Sequence, residues 1–73
     1  MPLIQVKGIE STLNAEQKQM VIERLTDALL SVTGERLRPV VVVVIEEVKS
    51  GDWAIGGKVL TAEDVKALMT VTA

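Results

Sequence analysis

The chain has no cysteine and no histidine, and Trp53 is its one aromatic residue. Without cysteine there is no disulfide to brace a small domain, and nothing points to an oxidising compartment. Without histidine the commonest metal ligand and the usual general base near neutral pH are both missing. A metal site would have to be built from carboxylates, and no clustered acidic loop offers one. The net charge of −2 comes without a basic block, which argues against a nucleic-acid partner. The longest apolar run, Val40 to Ile45, is far too short to span a bilayer. The N-terminus lacks the charged and apolar regions of a secretory signal, so a soluble, cytoplasmic protein with no membrane partner is the expectation.

What is present is aliphatic. Apolar residues make up 48% of the 73 positions, with valines concentrated between 40 and 48. A chain this short reads as one domain, 1–73, and buries only about 60% of its unfolded surface, so partner subunits become the natural source of additional core.

Leu3 to Gly8 alternates loosely between apolar and polar, as a strand does. Glu10 to Leu13 is a connection, and Asn14 with Gln17 three residues on forms a capping-box pattern. Val21, Ile22, Leu25, Ala28, Leu29 and Val32 then recur at helical spacing, with charged residues opposite. Gly34 falls where a left-handed helix cap is expected. Arg38-Pro39 leads into Val40 to Ile45, a β-branched run suited to a strand. Because it does not alternate, it calls for cover on both faces, as in a parallel sheet. Strand, helix, strand is a βαβ unit of the α/β (α+β) class, whose crossover is right-handed. Lys49 to Asp52 forms a turn, and Trp53-Ala54-Ile55 reverses through Gly56-Gly57 into Lys58-Val59-Leu60. Thr61 with Asp64 caps a short last helix carrying Val65, Leu68 and Met69.

Two strands and one long helix leave one sheet face bare and both sheet edges unpaired. Burying each Val or Ile is worth about 1.5–3 kcal/mol. An obligate homo-oligomer packed sheet against sheet is therefore expected, with the hairpin from Trp53 to Leu60 as an arm towards a neighbour.

Pro2 is the residue with the most chemical promise. Initiator methionine is trimmed before small residues, and trimming would free a secondary amine at the start of a strand. An amine fixed there can act as a general base or acid if its pKa lies near working pH. Met-Pro is also a common start, and a proline opening an edge strand does no structural harm.

Met1-Pro2-Leu3-Ile4-Gln5-Val6, Glu16-Gln17-Lys18, Ile45-Glu46-Glu47-Val48 and Gly51-Asp52-Trp53-Ala54-Ile55-Gly56-Gly57-Lys58 together resemble the 4-oxalocrotonate tautomerase family, across most of the chain. The resemblance implies a β-α-β subunit with a C-terminal hairpin and short helix, assembled into an oligomeric barrel-like body, often a hexamer built as a trimer of dimers. It also implies a cofactor-independent isomerase. In this reading Pro2 is the base that moves a proton in a small 2-oxo or 2-hydroxy acid, and Trp53 lines the pocket. The family's well-studied members carry one arginine in the loop before the helix and another in the second strand. Here residues 8–17 and 40–45 contain none, so the usual dicarboxylate substrate does not follow. Arg38 and Arg36 are the candidates to hold a substrate carboxylate, with Lys7 and Lys58 as further cations. Glu46 and Glu47 point to opposite faces of their strand and make no acid–base pair. Two other readings stay open: a hydratase, dehalogenase or decarboxylase with proline as general acid, and a non-catalytic subunit of a hetero-oligomer.

Overall fold

The structure, a computed structural model, describes residues 1–70. Strand β1 (Leu3–Ile9) leads into helix α1 (Ala15–Thr33), a 3-10 helix over Glu35–Val40, and strand β2 (Val42–Val48). The two strands pair in parallel, Leu3 opposite Val42 through Ile9 opposite Val48. Strands β3 (Trp53–Ile55) and β4 (Lys58–Leu60) form a separate antiparallel hairpin, and helix α2 (Ala62–Thr70) follows. This is the βαβ unit with hairpin and short helix that the sequence predicts.

Helix α1 begins where its capping box requires. Asn14 Oδ1 accepts from the Gln17 amide at 2.8 Å, and Gln17 Oε1 accepts from the Asn14 amide at 2.9 Å, which satisfies two of the otherwise unpaired first-turn donors. Thr61 and Asp64 exchange the equivalent pair at the start of α2. The end of α1 differs from expectation. Gly34 has φ +98° but ψ 153°, an extended glycine conformation rather than the left-handed turn, while its amide still donates to the Leu30 carbonyl at 2.8 Å. That geometry turns the chain directly into the 3-10 helix.

The second strand is also displaced from its expected span. Residues 35–40 are 3-10, and the strand starts at Val42 instead of Val40. Pro39 explains the delay, because its fixed φ near −65° suits a 3-10 turn and it has no amide for a ladder. At the other end the strand runs on through Glu46, Glu47 and Val48, since Lys7, Gly8 and Ile9 still offer backbone partners.

The sheet has a covered and an open face. Lys18 of α1 pairs with Glu47 at 2.5 Å, so the parity of Glu47, shared by Val43, Ile45, Ile4 and Val6, faces the helix. Leu3, Gln5, Lys7, Val42, Val44 and Glu46 occupy the opposite face. There Leu3 is 63% exposed, Val42 38% and Val44 36%, and Gln5 hydrogen-bonds Glu46. Within one chain the valine run is therefore covered on one side only. The helix stripe needs a similar correction. Val21, Leu25 and Leu29 are half-buried as expected, but Ile22 and Ala28 are exposed and Val32 is 87% exposed. Leu30, outside the predicted stripe, is 3% exposed. It sits in the last turn, where α1 packs on the 3-10 helix as well as on β2, so the covered arc swings round at that end.

Ile9, Leu30 and Ala62 are the fully buried apolar residues among those described. The far end of the open face is closed by a relay of hydrogen bonds. The Ser50 amide donates to Glu10 Oε2, and the Ala62 amide donates to Ser50 Oγ. Beyond Ala62, Val65 of α2 is half-buried, while Leu68 is 72% exposed and Met69 50%. The radius of gyration is 14.8 Å, against about 11 Å for a compact chain of this length.

Two outcomes are expected from this packing. Leu30→Ala should lower unfolding free energy by about 2–4 kcal/mol at fixed protein concentration, measured by urea denaturation. Glu47 accepts from Lys18 and from the Ser11 amide at 3.1 Å, and these bonds hold its carboxyl below its ordinary value of 4.5. A lowered carboxyl contributes stability above its unfolded pKa and loses it as pH falls through the folded value. The Ser11 amide resonance should accordingly titrate with a midpoint below 4.5, and a midpoint at or above that value would show the contact to be absent in solution.

Candidate active site

Pro2 precedes the first strand residue, and its carbonyl accepts a hydrogen bond from the Val42 amide at 3.0 Å. The proline is thereby tied to the entrance of β2 even though it contributes no amide of its own. It is half-buried, while Met1 before it is 91% exposed. Met1 occupies the Pro2 nitrogen as an amide, which has no useful basicity, so any amine chemistry at this atom requires that bond to be cut.

The two candidate arginines lie on the 3-10 helix that delivers the chain to Val42. The backbone links them to the same end of the sheet: the Val41 amide donates to the Arg38 carbonyl at 3.4 Å, one residue before the bond to Pro2. Their side chains differ in state. Arg38 makes a fork with Glu35, Nε to Oε2 at 2.8 Å and Nη2 to Oε1 at 3.0 Å. The same Nη2 reaches Asp27 Oδ1 on α1 at 2.8 Å. Hydrogen bonds donated to Glu35 and then to Asp27 push the guanidinium further up from its ordinary value, and the bond from Arg38 holds the Glu35 carboxyl down. Arg36 is exposed and forms no ion pair among the described residues.

Trp53 is half-buried in β3, opposite Leu60. Its hairpin hydrogen-bonds as a sheet of its own and does not join β1 and β2. One chain therefore brings Pro2 and the 3-10 arginines to a common end and leaves Trp53 on a separate arm. Lys7 lies on the open face opposite Glu46, and Lys58 starts β4, close enough to Asp64 to help lower that carboxyl.

A small hollow of about 30 Å³, lined mainly by apolar atoms of Val6, Ile9, Leu13 and Ile45, opens between sheet and helix. It sits near the carboxyl ends of the strands, roughly 20 Å along the sheet from Pro2 at about 3.3 Å per residue. It has room for little more than water and is remote from the amine. Among the described residues no three acidic side chains are grouped to hold a metal ion. Sequence reasoning did not anticipate the partners of Arg38. The spacing Glu35–Arg38 is one 3-10 turn and was readable, but Asp27 joins only because α1 doubles back beside the 3-10 helix.

The family described as "Tautomerase enzyme" matches residues 2–63. A probable tautomerase from Campylobacter jejuni is 37% identical over 67 residues, covering 92% of this chain and 97% of the relative. A 2-hydroxymuconate tautomerase from Bacillus subtilis is 36% identical over 61 residues, covering 84% and 95%. Among solved structures, that of 4-oxalocrotonate tautomerase isozymes from Methylibium petroleiphilum superposes with a TM-score of 0.71 at 34% identity, covering 88% of this chain and 97% of the other. A βαβ subunit that opens on a hydrogen-bonded proline, with this extent of likeness, belongs to the 4-oxalocrotonate tautomerase family of tautomerases.

Proposed function

We propose that this chain is a cofactor-independent, cytoplasmic keto–enol tautomerase whose Pro2 amine, freed by removal of Met1, transfers a proton in a small 2-oxo or 2-hydroxy acid. The observation that carries the reading is the bond from the Val42 amide to the Pro2 carbonyl, because it holds the amine at one end of a paired strand. A secondary amine is a strong base in water. Partial desolvation and a neighbouring guanidinium both disfavour its ammonium form and draw its pKa towards neutrality. In the enol-to-keto direction the neutral Pro2 amine takes the enol O–H proton, the C=O bond forms, and the carbon–carbon π pair takes that proton from the resulting prolyl ammonium. The reverse step returns the proton from carbon to the neutral amine. In this reading Arg36 anchors the substrate carboxylate and Trp53 supplies an apolar wall, reaching the amine from a second copy of the chain.

Assembly is part of the same proposal. The accessible surface of one chain is 5525 Å², against about 4,400 Å² for a compact monomer of this size. The difference is comparable to the roughly 800 Å² that each partner buries in a standard interface. Leu3, Val42 and Val44 on the open face and Leu68 on α2 are the apolar groups that a homo-oligomer would cover, and a hexamer arranged as a trimer of dimers is the proposed form.

Two measurements test this. Ketonisation of phenylenolpyruvate by the Met-free protein should fall about 10²- to 10⁴-fold in Pro2→Ala, the range for a positioned general base, and equal rates would remove Pro2 from the mechanism. Sedimentation equilibrium should show a multiple of the subunit mass at micromolar concentration, and Val44→Glu should dissociate it. A wild-type chain that sediments as a monomer would contradict the assembly.

A further inference from the structure

The Arg38 cluster bears on which acids the site accepts. Along the 3-10 helix and the facing turn of α1, Asp27, Glu35 and Arg38 together carry two negative charges and one positive. Three hydrogen bonds of 2.8–3.0 Å occupy the Arg38 guanidinium on its Nε and Nη2 edge. That edge is one of the forks by which an arginine takes a carboxylate bidentately, and Nη1 keeps its N–H groups free of any partner among the described residues. Arg36, two residues earlier, has no ion pair among the described residues. The segment that delivers the chain to Pro2's partner Val42 thus presents one free guanidinium beside two carboxylates already in place. A second substrate carboxylate reaching Arg38 would meet a cluster of net charge −1 and lie next to Glu35 and Asp27.

We propose that Asp27 and Glu35 set the charge selectivity of the site: by over-compensating the charge of Arg38 they leave Arg36 as the one uncompensated guanidinium on this segment, so that the site takes monocarboxylates and disfavours dicarboxylates. The inference rests on the tautomerase reading for the location of the site, but it concerns binding alone. Arg38 acts here as a positioning residue, clasping the 3-10 helix to α1. The selectivity is modest because the cluster is exposed and screened by salt, and about three- to tenfold is the expected size.

Crotonate and fumarate share a four-carbon unsaturated skeleton and differ in having one carboxylate or two. Their dissociation constants for the Met-free protein can be read from shifts of the Val42 amide resonance, with no turnover involved. Wild type should bind crotonate three- to tenfold more tightly than fumarate. The double variant Asp27→Asn/Glu35→Gln releases Arg38 and should move the ratio towards fumarate by about tenfold. Arg38→Gln leaves both acids uncompensated and should weaken both ligands, fumarate more, while Arg36→Ala should weaken both to a similar degree. Both acids are exposed, and thermal melts will show whether the variants stay folded. A ratio unchanged in the double variant, a wild-type preference for fumarate, or an indifferent Arg36→Ala would overturn the proposal. Selective binding without enol turnover would instead refute the tautomerase reading and leave the charge assignment standing. Turnover without charge discrimination would do the reverse.

Discussion

A single hydrogen bond, from the Val42 amide to the Pro2 carbonyl, organises the candidate site. It marks the point where the parallel ladder of β1 and β2 begins, and every later pair in the register is counted from it. A proline offers the ladder no donor, so its carbonyl is the group through which backbone pairing can hold it. The proline nitrogen is left outside the ladder, at the start of a strand that pairs with β2 along one edge. The 3-10 helix before Val42 follows from the same constraint. Pro39 cannot join a ladder, so the chain stays coiled until Val41, and this brings Arg36 and Arg38 to the end of the sheet where Pro2 lies.

The second governing feature is shortage of cover. One helix shields one face of a two-stranded sheet, and Ile9, Leu30 and Ala62 are the residues that become fully buried among those described. Chains of this size gain little core of their own, and this one spreads further by carrying a hairpin and a second helix away from the sheet. Leu3, Val42 and Val44 remain exposed together on the open face, and Leu68 remains exposed on α2. Trp53 sits on the detached hairpin. Within one chain the hairpin that carries Trp53 forms no ladder with the strand that begins beside Pro2.

Electrostatics around the 3-10 helix separate two arginines that look equivalent in sequence. Arg38 is neutralised in place by Glu35 and Asp27, and Arg36 is not. Open α/β folds usually bind ligands beyond the carboxyl ends of their strands, and a small hollow is present there. Pro2 and the 3-10 segment that carries Arg36 belong to the opposite end, so this hollow and the candidate site do not coincide.

Much of this molecule was legible in the order of its residues, because the signals are local. Asn14 with Gln17 and Thr61 with Asp64 specify helix starts by hydrogen bonds that span one turn. The β-branched run specifies a strand, and Gly56-Gly57 a reversal. Pro2 near the start of the chain, together with the Trp-Ala-Ile-Gly-Gly segment, pointed to the family. Other features needed tertiary structure because they depend on what lies alongside. The end of β2 at Val48 was decided by the residues of β1 that remained to pair, Lys7, Gly8 and Ile9. The exposure of Val32 and burial of Leu30 were decided by where the 3-10 helix crosses the last turn of α1. The capture of Arg38 was decided by Asp27, eleven residues away in sequence and brought close by the reversal at Gly34. Local hydrogen bonding is written in spacing, whereas the partner of an exposed charge or an apolar side chain is known once the chain has folded back on itself.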